Sequence, residues 1–143
     1  MDFTGKVALI TGGGGGIGRA TALGFALRGA KVMVVDHDAE SGKVTTDVVA
    51  QRGGDAKFVM ADVTKSASVQ DYVKATLDAY GRIDCFFNNA GIEGKVVPIQ
   101  DYDEAVFTIV PDCWRNITGS TWRRPRKTPF RLTPITASNM ASS

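Results

Sequence analysis

Apolar residues in the N-terminal part of the chain switch repeatedly between two periods. Runs at Val7–Ile10, Val32–Val35, Lys57–Met60 and Ile83–Phe87 are short and almost continuously apolar. That pattern predicts strands buried on both faces of a parallel sheet. Between them the spacing is helical. Ile17, Ala20, Gly24 and Leu27 fall on one face, and Gly29 is placed to close that helix as a left-handed cap. Val44 and Val48 repeat the pattern before Gly53-Gly54. Val69, Val73, Thr76, Leu77 and Tyr80 do so again, after a capping box from Ser68 to Asp71, and Gly81 ends the third helix. Strand–helix alternation with short connections predicts an α/β, doubly wound parallel sheet, because right-handed crossovers place helices on both faces.

Composition changes this picture at one place. The chain has 143 residues, 43% hydrophobic and 22% charged, which fits one small globular domain. Up to Ala105, Lys and Arg number 11 against 14 Asp and Glu; from Val106 onward they number 6 against 1. Four of the five prolines and both tryptophans lie in that second part, whereas fifteen of the sixteen glycines lie in the first. Such a shift marks a boundary between segments of different behaviour. No apolar run approaches the roughly 18 residues of a membrane span. The strand-like run Lys6–Thr11 begins at once, without a signal-peptide pattern. Two cysteines, Cys85 and Cys113, are too few for a disulfide framework and point to a reducing, cytoplasmic setting.

Candidate chemistry sits between the first strand and the first helix. Thr11 through Gly18 is a glycine turn in which Gly13, Gly15 and Gly18 satisfy G-x-G-x-x-G. Glycine there lets a pyrophosphate approach the backbone N–H groups at a helix start, where the helix dipole favours negative charge. A flexible turn would satisfy the same pattern. Asp36 ends the second strand about 20 residues later, where a carboxylate can accept both hydroxyls of an adenosine ribose. A helix or turn cap is the plainer reading of Asp36, and Asp38 serves that role equally well. Arg19 reads as an exposed first-turn arginine, with a phosphate contact as the alternative. His37 lacks a second ligand at metal-binding spacing, so no metal is expected. Cys85 reads as a small buried hydrophobe, and Tyr72 and Tyr80 as part of a helix packed on the sheet.

Four motifs, in order, carry a resemblance. Thr11-Gly12-x-x-x-Gly16-x-Gly18, Asp36, Asp62-Val63 and Asn88-Asn89-Ala90-Gly91 resemble the successive motifs of the short-chain dehydrogenase/reductase family. Turn chemistry alone would explain Asn88-Asn89, but not the other three matches. The resemblance covers about residues 1 to 107. It implies a Rossmann-type sheet, here an incomplete one of about four strands in the order 3-2-1-4. It also implies that backbone around Gly12, Gly15, Gly16, Ile17 and Gly18 cradles the pyrophosphate and adenosine ribose of a nicotinamide dinucleotide. Asp62 and Val63 would meet the adenine, and Asn89, Ala90 and Gly91 the nicotinamide-side ribose. Asp36 matches the family's NAD-selecting carboxylate, which repels the 2′-phosphate of NADP. No Arg or Lys stands in the turn or directly after Asp36; the next residue, His37, is of a type mostly neutral at pH 7. NAD is therefore the expected cofactor. A family-type homo-oligomer is conceivable, although its interface helices are largely missing.

From Thr108 the resemblance stops. The family would continue its helix with an asparagine, then a strand ending in a catalytic serine, then a Tyr-x-x-x-Lys helix. This chain has Ile109-Val110-Pro111, and proline opposes helix continuation. Arg123-Arg124-Pro125-Arg126-Lys127 follows, then Ser- and Thr-rich residues. Four residues beyond Tyr72, Tyr80 and Tyr102 stand Thr76, Asp84 and Val106, none of them lysine. No catalytic residue is assigned. The expectation is an NAD(P)-binding segment over 1–107 and a basic tail without recognisable fold over 108–143. A frameshift, an alternative 3′ exon or a truncated gene copy would produce it. The resemblance implies an oxidoreductase by family, and this chain alone is expected to be inactive. The alternative is a non-enzymatic interaction protein whose basic tail contacts nucleic acid, a membrane or a partner, nucleic acid being disfavoured. In either case the fourth strand would present an unprotected edge.

Overall fold

The computed structural model describes residues 1–92 together with Pro98 and Asp101. The expected tail over 108–143, Tyr102, Cys113 and the helix approach around Asp103 lie outside the described residues. Seven elements alternate along the chain: β1 (Val7–Thr11), α1 (Gly16–Ala26), β2 (Lys31–Asp36), α2 (Ala39–Gln51), β3 (Asp55–Met60), α3 (Ser66–Tyr80) and β4 (Cys85–Phe87). The four strands are parallel, in the order β3-β2-β1-β4. This is the doubly wound sheet that the periodicity predicts, in the Rossmann-type strand order that the resemblance implies.

The core divides at the sheet. On one face Leu9, Met33, Val35 and Ile83 pack against Val69 and Tyr72 of α3. On the other, Ile10, Val32 and Val34 pack against Ala22 and Ala26 of α1 and Val49 of α2. β1 is buried throughout, and β2 over Val32–Val35. β3 corrects the expectation of burial on both faces. It alternates between exposed and half-buried positions, because it is an edge strand bonded only to β2 among the described residues. β4 is shorter than expected. Ile83 is buried ahead of it, and Asp84 N–H donates to the Val7 carbonyl at 2.9 Å.

Two helix faces are also corrected. Ile17 and Leu27, expected in the core, are 71% and 59% exposed, while Gly18, Ala22 and Ala26 are buried. In α2 the buried residues are Gly42, Thr45 and Val49, and Val44 faces outward. Both helices press on the sheet largely through small side chains; Val49 is fully buried and Leu23 and Phe25 pack partly against the core, while Ile17, Leu27 and Val44 are left outside. α3 follows its prediction, with Val69 and Thr76 buried and Val73, Leu77 and Tyr80 packed against the core. Its start is earlier than the capping box implied. Ser68 and Asp71 lie inside the helix, which begins at Ser66 after Lys65. Gly81 closes it in the left-handed conformation and donates to the Leu77 carbonyl at 2.7 Å. Gly29 is likewise left-handed, just beyond α1.

Candidate functional site

β1 ends in Thr11, a fully buried polar residue that joins two turns. Its hydroxyl donates to Asn88 Oδ1 at 3.3 Å and accepts the N–H groups of Asn89 and Ala90 at 3.1 Å each. The Asn89 amide donates to the Thr11 and Gly12 carbonyls, both at 3.2 Å. The turn after β4 is thereby fastened to the turn after β1. Two glycines are fixed by this packing. Gly12 has φ of +63°, and a Cβ there would lie 2.9 Å from Asn89 Nδ2 and 3.0 Å from Ala90 Cα. A Cβ on Gly18 would run into the Gly12 carbonyl.

Gly15 is different. Its φ of −152° suits any residue, and a Cβ there would meet nothing within 4 Å. It is the N-cap of α1 and offers no side-chain cap. The N–H groups of the first turn, at Gly16, Ile17 and Gly18, have no acceptor within the helix. The positive end of the helix dipole lies there.

Asp36 ends β2 beside this turn. Its Oδ2 accepts the Gly14 N–H at 2.8 Å, and its Oδ1 lies 3.1 Å from both the Asp38 N and His37 Nδ1. Asp38 takes the capping role: it accepts the Glu40 N–H at 3.0 Å and the Ser41 hydroxyl at 2.6 Å. Those bonds, the Ser41 hydroxyl foremost, hold its carboxyl below the ordinary value. After β3, Asp62 accepts the hydroxyl and N–H of Thr64 at 2.6 and 3.0 Å. The Thr64 hydroxyl is the main cause of its lowered pKa, with Lys65 at 3.2 Å contributing less.

These groups surround a cleft of about 500 Å³ at the C-terminal ends of the strands. The glycine turn supplies Gly12 and Gly15, β2 supplies Asp36, the β3 turn supplies Asp62 and Val63, and the β4 turn supplies Asn89, Ala90 and Gly91. The other three expected residues do not line it: Gly16 and Ile17 are exposed at the helix start, and Gly18 is buried beneath Gly12. His37, Ala61, Thr64 and Ile92 also line the cleft, and the sequence reading assigned them no role there. Thr11 opens the glycine motif in the sequence, but its role in joining the two turns is not assigned there, although a threonine closing an apolar strand is a readable signal. The exposed reading of Arg19 is corrected. Its Nε donates to Thr45 Oγ1 at 3.0 Å, and its Nη2 reaches the carbonyls of Gly14 and Ser41. Among the described residues no cluster of three metal-ligating side chains occurs, and no helix is long and apolar enough to cross a membrane.

A parallel sheet with a glycine turn and an open cleft beyond its strand ends is the architecture of a dinucleotide-binding domain. The chain belongs to the short chain dehydrogenase family, whose model matches residues 6–122. Levodione reductase of Leifsonia aquatica is 48% identical over 107 residues, covering 73% of this chain and 40% of that protein. The chain thus spans about two-fifths of the length of that curated relative. The short-chain dehydrogenase/reductase homolog YusS of Bacillus subtilis is 38% identical over 106 residues, and there the match covers 73% of this chain and 96% of the relative. Among solved structures, NAD+-bound xylitol dehydrogenase superposes with a TM-score of 0.76 at 37% identity, over 79% of this chain and 44% of that one. A metagenomic short-chain oxidoreductase in complex with NADP does so with a TM-score of 0.74 at 28% identity, over 78% and 50%.

Proposed function

We propose that the chain binds a nicotinamide adenine dinucleotide across the strand ends, with NAD preferred over NADP. The observation that carries this is Gly15. Neither its backbone angles nor its neighbours require glycine, and the residue lines the cleft. A surface kept bare at a helix start is what close approach of a pyrophosphate needs. Backbone of Gly12, Gly15, Gly16, Ile17 and Gly18 would hold the pyrophosphate and its adjoining ribose. Asp62 and Val63 would hold the adenine, and Asn89, Ala90 and Gly91 the second ribose. Relatives are solved with NAD+ and with NADP, so the choice between them rests on Asp36. A carboxylate at that rim repels a 2′-phosphate and accepts ribose hydroxyls.

The bound nicotinamide would supply hydride transfer; this chain's own residues supply binding and orientation. Proton transfer at a substrate oxygen needs a positioned acid or base, worth about 10²–10⁴ in rate. Neither described tyrosine offers one. Tyr72 is buried under the sheet, and burial pushes its pKa up to about 12. Tyr80 donates to Asp55 at 3.1 Å, and burial and that carboxylate raise it as well. Both shifts lead away from working pH. On this proposal the chain is a family dinucleotide binder that does not itself turn over an alcohol or ketone, and family membership supports dinucleotide binding over a tail-borne interaction. A cytoplasmic setting belongs to the same proposal and rests on the chain's two cysteines being too few for a disulfide framework. Calorimetric titration with NAD+ and NADP+ tests the proposal. NAD+ should bind at least about tenfold more tightly. Absence of binding, or a preference for NADP+, overturns it. Sustained NADH formation that tracks the pure chain through sizing overturns the inactivity.

A further inference from the structure

We propose that Arg19 is a positioning residue for the glycine turn, acting with Asp36 and Thr45 as a clamp on the Gly14 peptide groups. This rests on the dinucleotide reading above. Gly14 is held from both sides. Its N–H donates to Asp36 Oδ2 at 2.8 Å, from the end of β2. Its carbonyl accepts from Arg19 Nη2, and the single proton of the Thr45 hydroxyl is shared between that carbonyl at 3.3 Å and the Ser41 carbonyl at 3.1 Å. The same guanidinium is anchored on α2, through Thr45 Oγ1 at 3.0 Å and the Ser41 carbonyl at 3.5 Å. Thr45 is fully buried, so this anchor is not a surface contact.

The consequence follows from peptide geometry. In a planar trans peptide the C=O and the following N–H point in opposite directions. Gripping the Gly14 carbonyl toward α2 therefore aims the Gly15 N–H away from α2, and Gly15 lines the cleft. A five-glycine run has no side chains to fix its own conformation, and glycine loses the most freedom on ordering. Arg19 supplies from outside the order that the run lacks. Its planar fork spans three acceptors at once; a lysine ammonium retains the charge without that geometry.

The test titrates the full chain with NAD+, ADP-ribose and adenosine, for wild type, Arg19→Met, Arg19→Lys and Thr45→Val, beside each unfolding midpoint. Arg19→Met should weaken NAD+ and ADP-ribose about tenfold and Thr45→Val about threefold, with adenosine changed less than about twofold. Amide exchange of Gly14 to Gly18 in the ligand-free chain should quicken in both variants. Unchanged affinity and exchange overturn the proposal. So does an equal loss for all three ligands, which marks a general structural defect, or wild-type affinity in Arg19→Lys, which marks charge alone. Should Arg19→Met fail to fold, the near-isosteric Thr45→Val decides by the same criteria. A wild-type chain that binds none of the ligands overturns the dinucleotide reading, and the exchange rates then judge the clamp separately.

Discussion

The two faces of the sheet are packed by opposite means. Against α3 the contact is made by large side chains, with Tyr72 and Val69 set on Leu9, Met33 and Ile83. Against α1 and α2 the closest contacts are made by small ones, Gly18, Ala22 and Ala26 in one helix and Gly42 and Thr45 in the other, with Val49 the larger side chain fully buried among them. Gly42 sits directly against the Phe58 ring, with no room for a Cβ. Small contact residues shorten the distance between a helix axis and the sheet. On this face the short distance sets the start of α1 against the Gly12 carbonyl, and the strand-end cleft opens beside it. The α3 face holds the fold together by bulk; the other face uses closeness to build a site.

If that contrast is right, the faces should fail in different ways. Tyr72→Ala empties a large buried volume and should cost about 3–5 kcal/mol of stability, the range for deleting a buried aromatic ring. Chemical denaturation measures it, and a loss below about 1 kcal/mol would break the contrast. On the close-packed face the damaging change is enlargement. Ala22 is fully buried, and Ala22→Leu should cost about 1–3 kcal/mol through overpacking. It should also weaken NAD+ binding, because it pushes α1 off the sheet. A stabilised Ala22→Leu would show that the face is loosely filled rather than close.

Asp84 belongs to neither face, and it sharpens the comparison through pH. It accepts the Val7 N–H at 2.9 Å, pairs with Arg82, and lies 3.8 Å from Lys6. Burial alone would raise its pKa; the Arg82 guanidinium, the Val7 N–H and Lys6 outweigh burial and hold the carboxyl below its ordinary value. A carboxyl lowered on folding contributes stability that is complete above its unfolded value of about 4 and is lost as pH falls through the folded one. Asp84→Asn should therefore cost about 1 kcal/mol at neutral pH and flatten the acid limb of the stability profile. Tyr72→Ala and Ala22→Leu should lower that profile evenly. An acid limb unchanged in Asp84→Asn would remove Asp84 from the account.

The same contrast explains what could be read from the sequence. β1 and β2 were legible because a doubly buried strand is apolar at every position, as in Val7–Ile10 and Val32–Val35. The lining of the cleft was largely legible because its signals are local and tied to residue type: glycines at Gly12 and Gly15, a carboxylate at Asp36, a turn at Asn88-Asn89. The face of α3 was legible because large apolar residues fill it. The faces of α1 and α2 were not. Periodicity weighs Ile17, Leu27 and Val44 above Gly18, Ala22 and Thr45, so the pattern pointed outward. Arg19 was misread for a related reason: its three acceptors come from the glycine turn and α2, 5 to 26 residues away, and no local pattern announces them.

The smallest expected effect tests that last point directly. Leu27 and Val44 are the residues that hydrophobic spacing would bury and the structure leaves 59% and 41% exposed. An apolar side chain gives its transfer free energy only for area removed from water, at about 25 cal/mol per Å². Leu27 stands at the C-cap of α1, where its backbone N–H donates to the Leu23 carbonyl at 2.9 Å; glutamine keeps that bond and has a helix propensity close to leucine's. Leu27→Gln should therefore stay within about 0.5 kcal/mol of the wild type, leave the NAD+ titration unchanged, and lower self-association if it does anything. Val44→Thr should behave alike, apart from the few tenths of a kcal/mol that separate these β-branched residues in a helix. A loss of about 2 kcal/mol or more at Leu27, the size of a buried leucine's contribution, would mean that α1 turns its bulky face inward. The close approach of Gly18 to Gly12 would then have no support, and the account of the cleft would fall with it.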